Sequence, residues 1–223
     1  MVGMAVVVDR VFVCTPVGAP AAERLRQFGL TEGSSNRHPG QGTACRRFFF
    51  QNAMLEFLWV ENPAEAQSEQ TRATRLWDRW SAAAGAASPF GIILRPPPGV
   101  EKACPFDAWD YRPPTMPDLS LCIAAGTALE EPMWCYMESG RKPADASPER
   151  RQPLEHEAGF REVTGVGLAC PALPDDSVTA AMARGGVIGL STAAGHLLEM
   201  HFDRALTGKL EDFRPDLPLV LRW

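Results

Sequence analysis

Short apolar runs separated by proline, glycine and polar turns dominate this chain, and they predict a strand-rich fold with a few helices. Residues 5–15, AVVVDRVFVCT, are rich in valine and read as a strand that Pro16 and Gly18 end. Ala21, Leu25 and Phe28 then fall at helical spacing, and Gly29 supplies a stop. Residues 31–43 carry turn chemistry with room for one short strand. ACRRFFFQN reads as a strand joined through Asn52 to a hairpin partner, AMLEFLWVEN. Residues 64–84 read as a helix with Leu76, Trp77 and Trp80 on one stripe, and FGIILR at 90–95 as a core strand. The proline-rich run 96–117 reads as an ordered loop, LSLCIAAG and PMWCYMES as two further strands, and 139–156 as a surface linker.

The last third looks like a repeat of the first. TGVGLACP at 164–171 aligns with DRVFVCTP at 9–16, and a helix candidate, SVTAAMARG, follows. GVIGLSTAAG and HLLEMHFD are expected as a second hairpin, in which Leu198-Glu199 corresponds to Leu55-Glu56. Glu56 stands in the middle of an apolar strand, where a carboxylate must find a proton, a cation or a hydrogen-bond donor. The repeat proposes Glu199 as its counterpart.

Composition narrows the function classes. With 45% apolar and 22% charged residues the chain is an ordinary globular one, and a net charge of -5 argues against nucleic acid as a partner. No apolar run nears the roughly 20 residues that cross a bilayer, and the N-terminus lacks the basic start of a secretory signal. No membrane partner and a cytoplasmic location are therefore expected. The six cysteines are scattered without a C-x-x-C pair, so zinc-ribbon and redox motifs are excluded and buried thiols expected.

Four stretches, Asp9-Arg10-Val11, HPGQGTACRRFFFQNAMLEFLWV at 38–60, FGIILR and AAGHLLEMHF at 193–202, resemble the vicinal oxygen chelate superfamily, in particular its glyoxalase-like, bleomycin-resistance-like members. The resemblance implies an α/β (α+β) fold in which two pseudo-symmetric βαβββ modules form an incomplete barrel around a site. The modules would be residues 1–62 and 161–223, with 63–160 as an inserted segment within one continuous domain. In the metal enzymes of that superfamily, ligands come from the first and last strand of each module. Glu56 and Glu199 match the last-strand carboxylates, but Arg10 and Gly165 stand at the first-strand positions. A guanidinium has no lone pair to give a metal, so no cofactor is expected.

The same resemblance makes Arg10 a neighbour of Glu56, either as mere charge neutralisation or as part of a site. The expected function is binding of a small anionic or carbonyl-containing molecule between the modules. If the protein is an enzyme, it is a metal-independent isomerase or lyase with Glu56 or Glu199 as base and Arg10 stabilising developing negative charge. His38, Arg46, His201, Trp109 and Tyr111 are the candidate substrate-binding residues. Alternation leaves open which of Arg46 and Arg47 turns inward. A non-catalytic binding or drug-sequestering module is one alternative. A metal-dependent lyase or dioxygenase with Glu56, Glu199 and His201 as ligands is another, and pairing of two chains is left open.

Overall fold

A computed structural model describes residues 6–83, 85–100 and 102–223, and the remaining N-terminal residues 1–5 of the expected first segment lie outside it. The architecture is mixed α and β, mostly sheet, with two sheets of eight and five strands and few helices. No helix among the described residues is long and apolar enough to cross a membrane.

The first sheet grows from β1 (Val7–Cys14), β2 (Asn36–His38), β3 (Thr43–Phe49) and β4 (Met54–Val60), with the short helix α1 (Ala22–Gln27) after β1. The expected hairpin forms, with Arg47 opposite Glu56 and Cys45 opposite Leu58. β4 also pairs with β1 in parallel, which places Phe12 beside Glu56. The expected helix over 64–84 is broken into α2 (Pro63–Ala66), a 3-10 turn and α3 (Leu76–Ser81), with Arg75 in the left-handed region between them. Residue 84 lies outside the described residues.

The other free edge of β1 is taken by β5 (Phe90–Arg95), the FGIILR run, all six residues of which are buried. Beyond it stand β8 (Met133–Tyr136), β7 (Leu121–Ala124) and β6 (Ala108–Tyr111), giving the order β2-β3-β4-β1-β5-β8-β7-β6. The segment 63–160 thus contributes half the strands of the main sheet and is built into it. The physical reason lies in β1 and β5: both carry buried apolar side chains on each face and satisfy backbone groups by pairing with each other. The antiparallel β1 and β5 each have a parallel neighbour, β4 and β8 respectively.

Residues 163–222 form the second sheet, from β9 (Val163–Cys170), β10 (Gly189–Thr192), β11 (Leu197–Phe202), β12 (Leu210–Asp212) and β13 (Leu219–Arg222), with α4 (Val178–Arg184) after β9. The expected hairpin of β10 with β11 does not form. β9 lies between them, parallel to β10 and antiparallel to β11.

Alternation along the strands decides what each face meets. Val11 and Val13 of β1, Leu55 and Phe57 of β4, and Trp134 of β8 share one core with Leu198, Met200 and Phe202 of β11. The Trp134 indole donates to Thr179 Oγ1 at 2.9 Å, which ties β8 to α4 within that core. The opposite face of the main sheet carries a second apolar cluster containing Phe12, Leu58, Ile93, Met133 and Cys135. Gly91 is required there, because a Cβ at that position would stand 2.0 Å from the Phe12 ring that lies across β5.

Candidate functional site

The second cluster surrounds a cavity of about 150 Å³. Its wall is largely apolar, with Phe12, Leu58, Ile93, Met116, Met133 and Met137, and its polar groups are few: Arg10, Glu56, His38, Asn36, Gln41 and Tyr111 among them. Three methionines give the wall unbranched, adaptable side chains.

A β-bulge brings the charged groups together. The register of β1 on β5 shifts between Val8 and Arg10, leaving Asp9 as the extra residue. Arg10 keeps the face of Phe12 and so approaches Glu56 on the neighbouring strand, while Asp9 is buried. Arg10 Nε donates to Asp9 Oδ2 at 2.9 Å, and Arg10 Nη1 lies 3.5 Å from Glu56 Oε1, an ion pair without a hydrogen bond. Arg95 Nε approaches Asp9 Oδ1 at 3.3 Å, but neither atom is aligned for a hydrogen bond. Two guanidinium groups and two carboxylates therefore stand together and balance in charge. Burial pushes the Asp9 carboxyl up, against the pull of Arg10 and Arg95. Burial also works to lower Arg10, but Glu56 and Asp9 outweigh it and hold the guanidinium above its ordinary range.

The Arg10 side chain keeps 25% of its surface accessible. Its Nη2 makes no hydrogen bond among the described residues, so donors remain for a ligand.

His38 belongs to a closed network. Asn36 Nδ2 meets His38 Nε2 at 3.0 Å, and His38 Nδ1 meets Thr43 Oγ1 at 2.9 Å. With Asn36 oriented as the donor, the imidazole carries its proton on Nδ1. Gln41 Nε2 donates to Thr43 Oγ1 at 2.8 Å, and Tyr111 OH donates to Gln41 Oε1 at 2.9 Å. Burial lowers His38 and pushes Tyr111 up to about 12, so both are neutral near pH 7. His38 thus lines the cavity with both ring nitrogens engaged, and it positions neighbours rather than exchanging a proton with a ligand. Gly42 adopts φ +74, and a Cβ there would meet Asn62 O at 2.3 Å, which is why the loop carrying Gln41 needs glycine.

Of the residues singled out in the sequence, Arg10, Glu56, His38 and Tyr111 are brought together. Trp109 sits one step away, its ring edge-on to Tyr111 at 5.9 Å, and does not line the cavity. Arg46 turns to the other face and forms a two-pronged pair with Glu32 at 2.7 and 2.6 Å, while Arg47 donates to Ser34 O at 2.8 Å. Neither arginine reaches the site. Asn36 and Gln41 were missed, although the glycines flanking Gln41 were the available signal.

Glu199 and His201 correct the expected pairing of modules. Leu198, Met200 and Phe202 fill the core between the sheets, so alternation turns Glu199 and His201 to the outer face of β11. There Arg222 holds Glu199 through contacts of 2.8 and 3.2 Å, and His201 Nε2 lies at 3.6 Å. The hydrogen bonds from Arg222 hold the Glu199 carboxyl below its usual range. Glu56 and Glu199 do not share a cavity, and the proposed metal set of Glu56, Glu199 and His201 does not converge. Among the described residues, no three His, Cys, Asp or Glu side chains are grouped to hold a metal ion.

No protein-family model matches the chain, and no curated protein matches it. Among solved structures it is similar to the crystal structure of a hypothetical protein from Staphylococcus aureus, with 10% sequence identity and a TM-score of 0.53, over 97% of this chain and 99% of that one. At that identity the likeness concerns the fold alone.

Proposed function

We propose that the cavity between Arg10 and Met133 binds a small carbonyl compound, with the carbonyl oxygen against Arg10 and the carbon skeleton against the apolar wall. The main sheet then has two four-stranded halves, a βαβββ half at 7–60 and a half at 90–136 without a helix among the described residues, curving as an incomplete barrel around that cavity in the manner of glyoxalase-like proteins. The observation that carries the ligand class is the charge balance. Asp9 and Glu56 already offset Arg10 and Arg95, so a neutral carbonyl gains a charge-assisted hydrogen bond without adding an unpaired anion. The volume of about 150 Å³ suits a molecule near benzene in size and is below the roughly 300–1,000 Å³ of pockets for drug-sized ligands.

Glu56 beside Arg10 supplies a base next to an electrophile. Its carboxylate takes a proton from the carbon next to the carbonyl, the electron pair of that C–H bond moves toward the carbonyl, and the negative charge gathers on the oxygen held by Arg10. Return of the proton from Glu56 to a neighbouring carbon completes an isomerisation. A non-catalytic binding module is the second reading, favoured by the apolar majority of the lining.

The test is a panel of small ketones and lactones in D₂O, with binding followed by thermal shift and α-proton exchange by NMR. Enhanced exchange that disappears in Glu56→Gln while binding persists supports the catalytic reading. Binding without enhanced exchange supports the binding module. Equal affinity of the wild type and Arg10→Met for every bound compound sinks the ligand placement.

A further inference from the structure

A second cleft, beyond the end of β1 at Thr15 and Pro16, runs between the ends of the two sheets and has a volume of about 590 Å³. It is lined by Trp80 and Arg79 of α3, by Pro89 before β5, and by His196 and Pro218 before β11 and β13. None of these residues takes part in the Arg10–Glu56 site.

Arg79 is 6% exposed. Its Nη1 donates to three backbone carbonyls: Ser88 O, Glu131 O at 2.8 Å and Leu129 O at 3.1 Å. Those bonds fix the guanidinium plane but bring no negative charge, and among the described residues Arg79 forms no ion pair. Its Nε is buried and has no hydrogen-bond partner, and Nη2 makes no hydrogen bond among the described residues. Nε and Nη2 form the edge of a guanidinium that meets a carboxylate with two parallel N–H···O bonds.

His196 adds an independent observation. Both of its ring nitrogens are buried and without a partner, although a buried imidazole ordinarily has at least one. The ring packs edge-on against Phe90 at 6.4 Å, which fixes it in the cleft wall. Burial lowers the imidazole, and the nearby positive charge of Arg79 lowers it further. Trp80 Nε1 donates to Thr15 O at 2.7 Å, so the indole is held in place as an apolar surface. A buried cation with an unused two-donor edge, an imidazole whose buried nitrogens lack partners and a pinned indole therefore line one cleft.

We propose that this cleft is a second ligand site that takes a small organic carboxylate, with its oxygens on the Nε and Nη2 edge of Arg79 and on His196, and its apolar body against Trp80 and the prolines. Because both sheets contribute to the walls, the ligand would bridge their ends.

The probe is benzoate, titrated into the full chain with the imidazole signals of His196 followed by NMR; acetate and inorganic phosphate are the comparison arms. The expected result is saturable movement of the His196 signals by benzoate, with weaker binding of acetate. Affinity for benzoate, read by calorimetry, should fall at least about tenfold in His196→Leu and in Arg79→Lys, and stay unchanged in Arg10→Met, which separates this cleft from the Arg10 cavity. Should Arg79→Lys fail to fold, His196→Leu decides alone. Absence of saturation by benzoate, saturation by phosphate alone, or an affinity for benzoate that His196→Leu leaves intact would overturn the proposal.

Discussion

Two arginine–glutamate pairs in this protein differ in structure. Arg222 grips Glu199 at 2.8 and 3.2 Å on an outer sheet face, where their side chains keep 37% and 29% of their surface accessible. Arg10 stands 3.5 Å from Glu56 without a hydrogen bond, inside a cavity, with Asp9 as a competing partner. The outer pair uses the Nε and Nη2 edge of Arg222 on both oxygens of Glu199. The inner pair is held apart by strand geometry and a β-bulge, which leaves donors and a carboxylate edge for something else. The better-formed ion pair is therefore the worse candidate for function, because a satisfied pair on a solvated face has little left to offer a ligand.

The comparison can be broken most directly by turnover. Where α-proton exchange is observed, Glu56→Gln should remove it and Glu199→Gln should leave it unchanged; loss in both variants would restore the paired-glutamate reading. A Cβ added by Gly91→Ala would meet the Phe12 ring at 2.0 Å, so this variant should lose about 1–3 kcal/mol in denaturant unfolding and also weaken ligand binding, because the ring forms part of the cavity wall. Arg10→Met should weaken binding of a carbonyl ligand about tenfold, or roughly 1.4 kcal/mol, whereas Arg222→Met should not change it. Equal losses in calorimetry would mean that the cavity is not where the ligand binds.

The smallest effect concerns acid. The folded Glu199 carboxyl titrates below its unfolded value of about 4.3, so its contribution is fully present above that value and is lost as pH falls through the folded pKa. Being half-exposed, the pair should contribute no more than roughly 1 kcal/mol. The stability difference between wild type and Glu199→Gln should accordingly shrink below about pH 4 in urea titrations. Asp9 has the opposite sign: burial raises it, so its ionised form costs stability, and that cost is relieved as pH falls through its folded pKa. A Glu199→Gln difference that stays constant through the acid range would mean that Arg222 contributes nothing to that carboxylate.

What the chain by itself determined is local. The hairpin of β3 with β4, the buried character of FGIILR and the isolation of Glu56 among apolar neighbours are all visible as short-range pattern, because strand alternation and turn chemistry act over a few residues. The outward direction of Glu199 has a local signal too, because Glu199 and His201 alternate with Leu198, Met200 and Phe202, whereas Glu56 is flanked by apolar residues on both sides. The neighbour relations have none. The likeness of 9–16 to 164–171 suggested that the two glutamates face each other, yet which strand covers the free edge of β1 depends on backbone hydrogen bonds made across some 80 residues, and β5 fills that edge. Arg46 found Glu32 rather than the cavity, and Gln41 found Tyr111 from 70 residues away. Such pairings are set by where strands and loops are packed, and no local spacing encodes them. Tertiary structure thus selected one arginine, one glutamate and one face of one sheet from several that the sequence offered on equal terms.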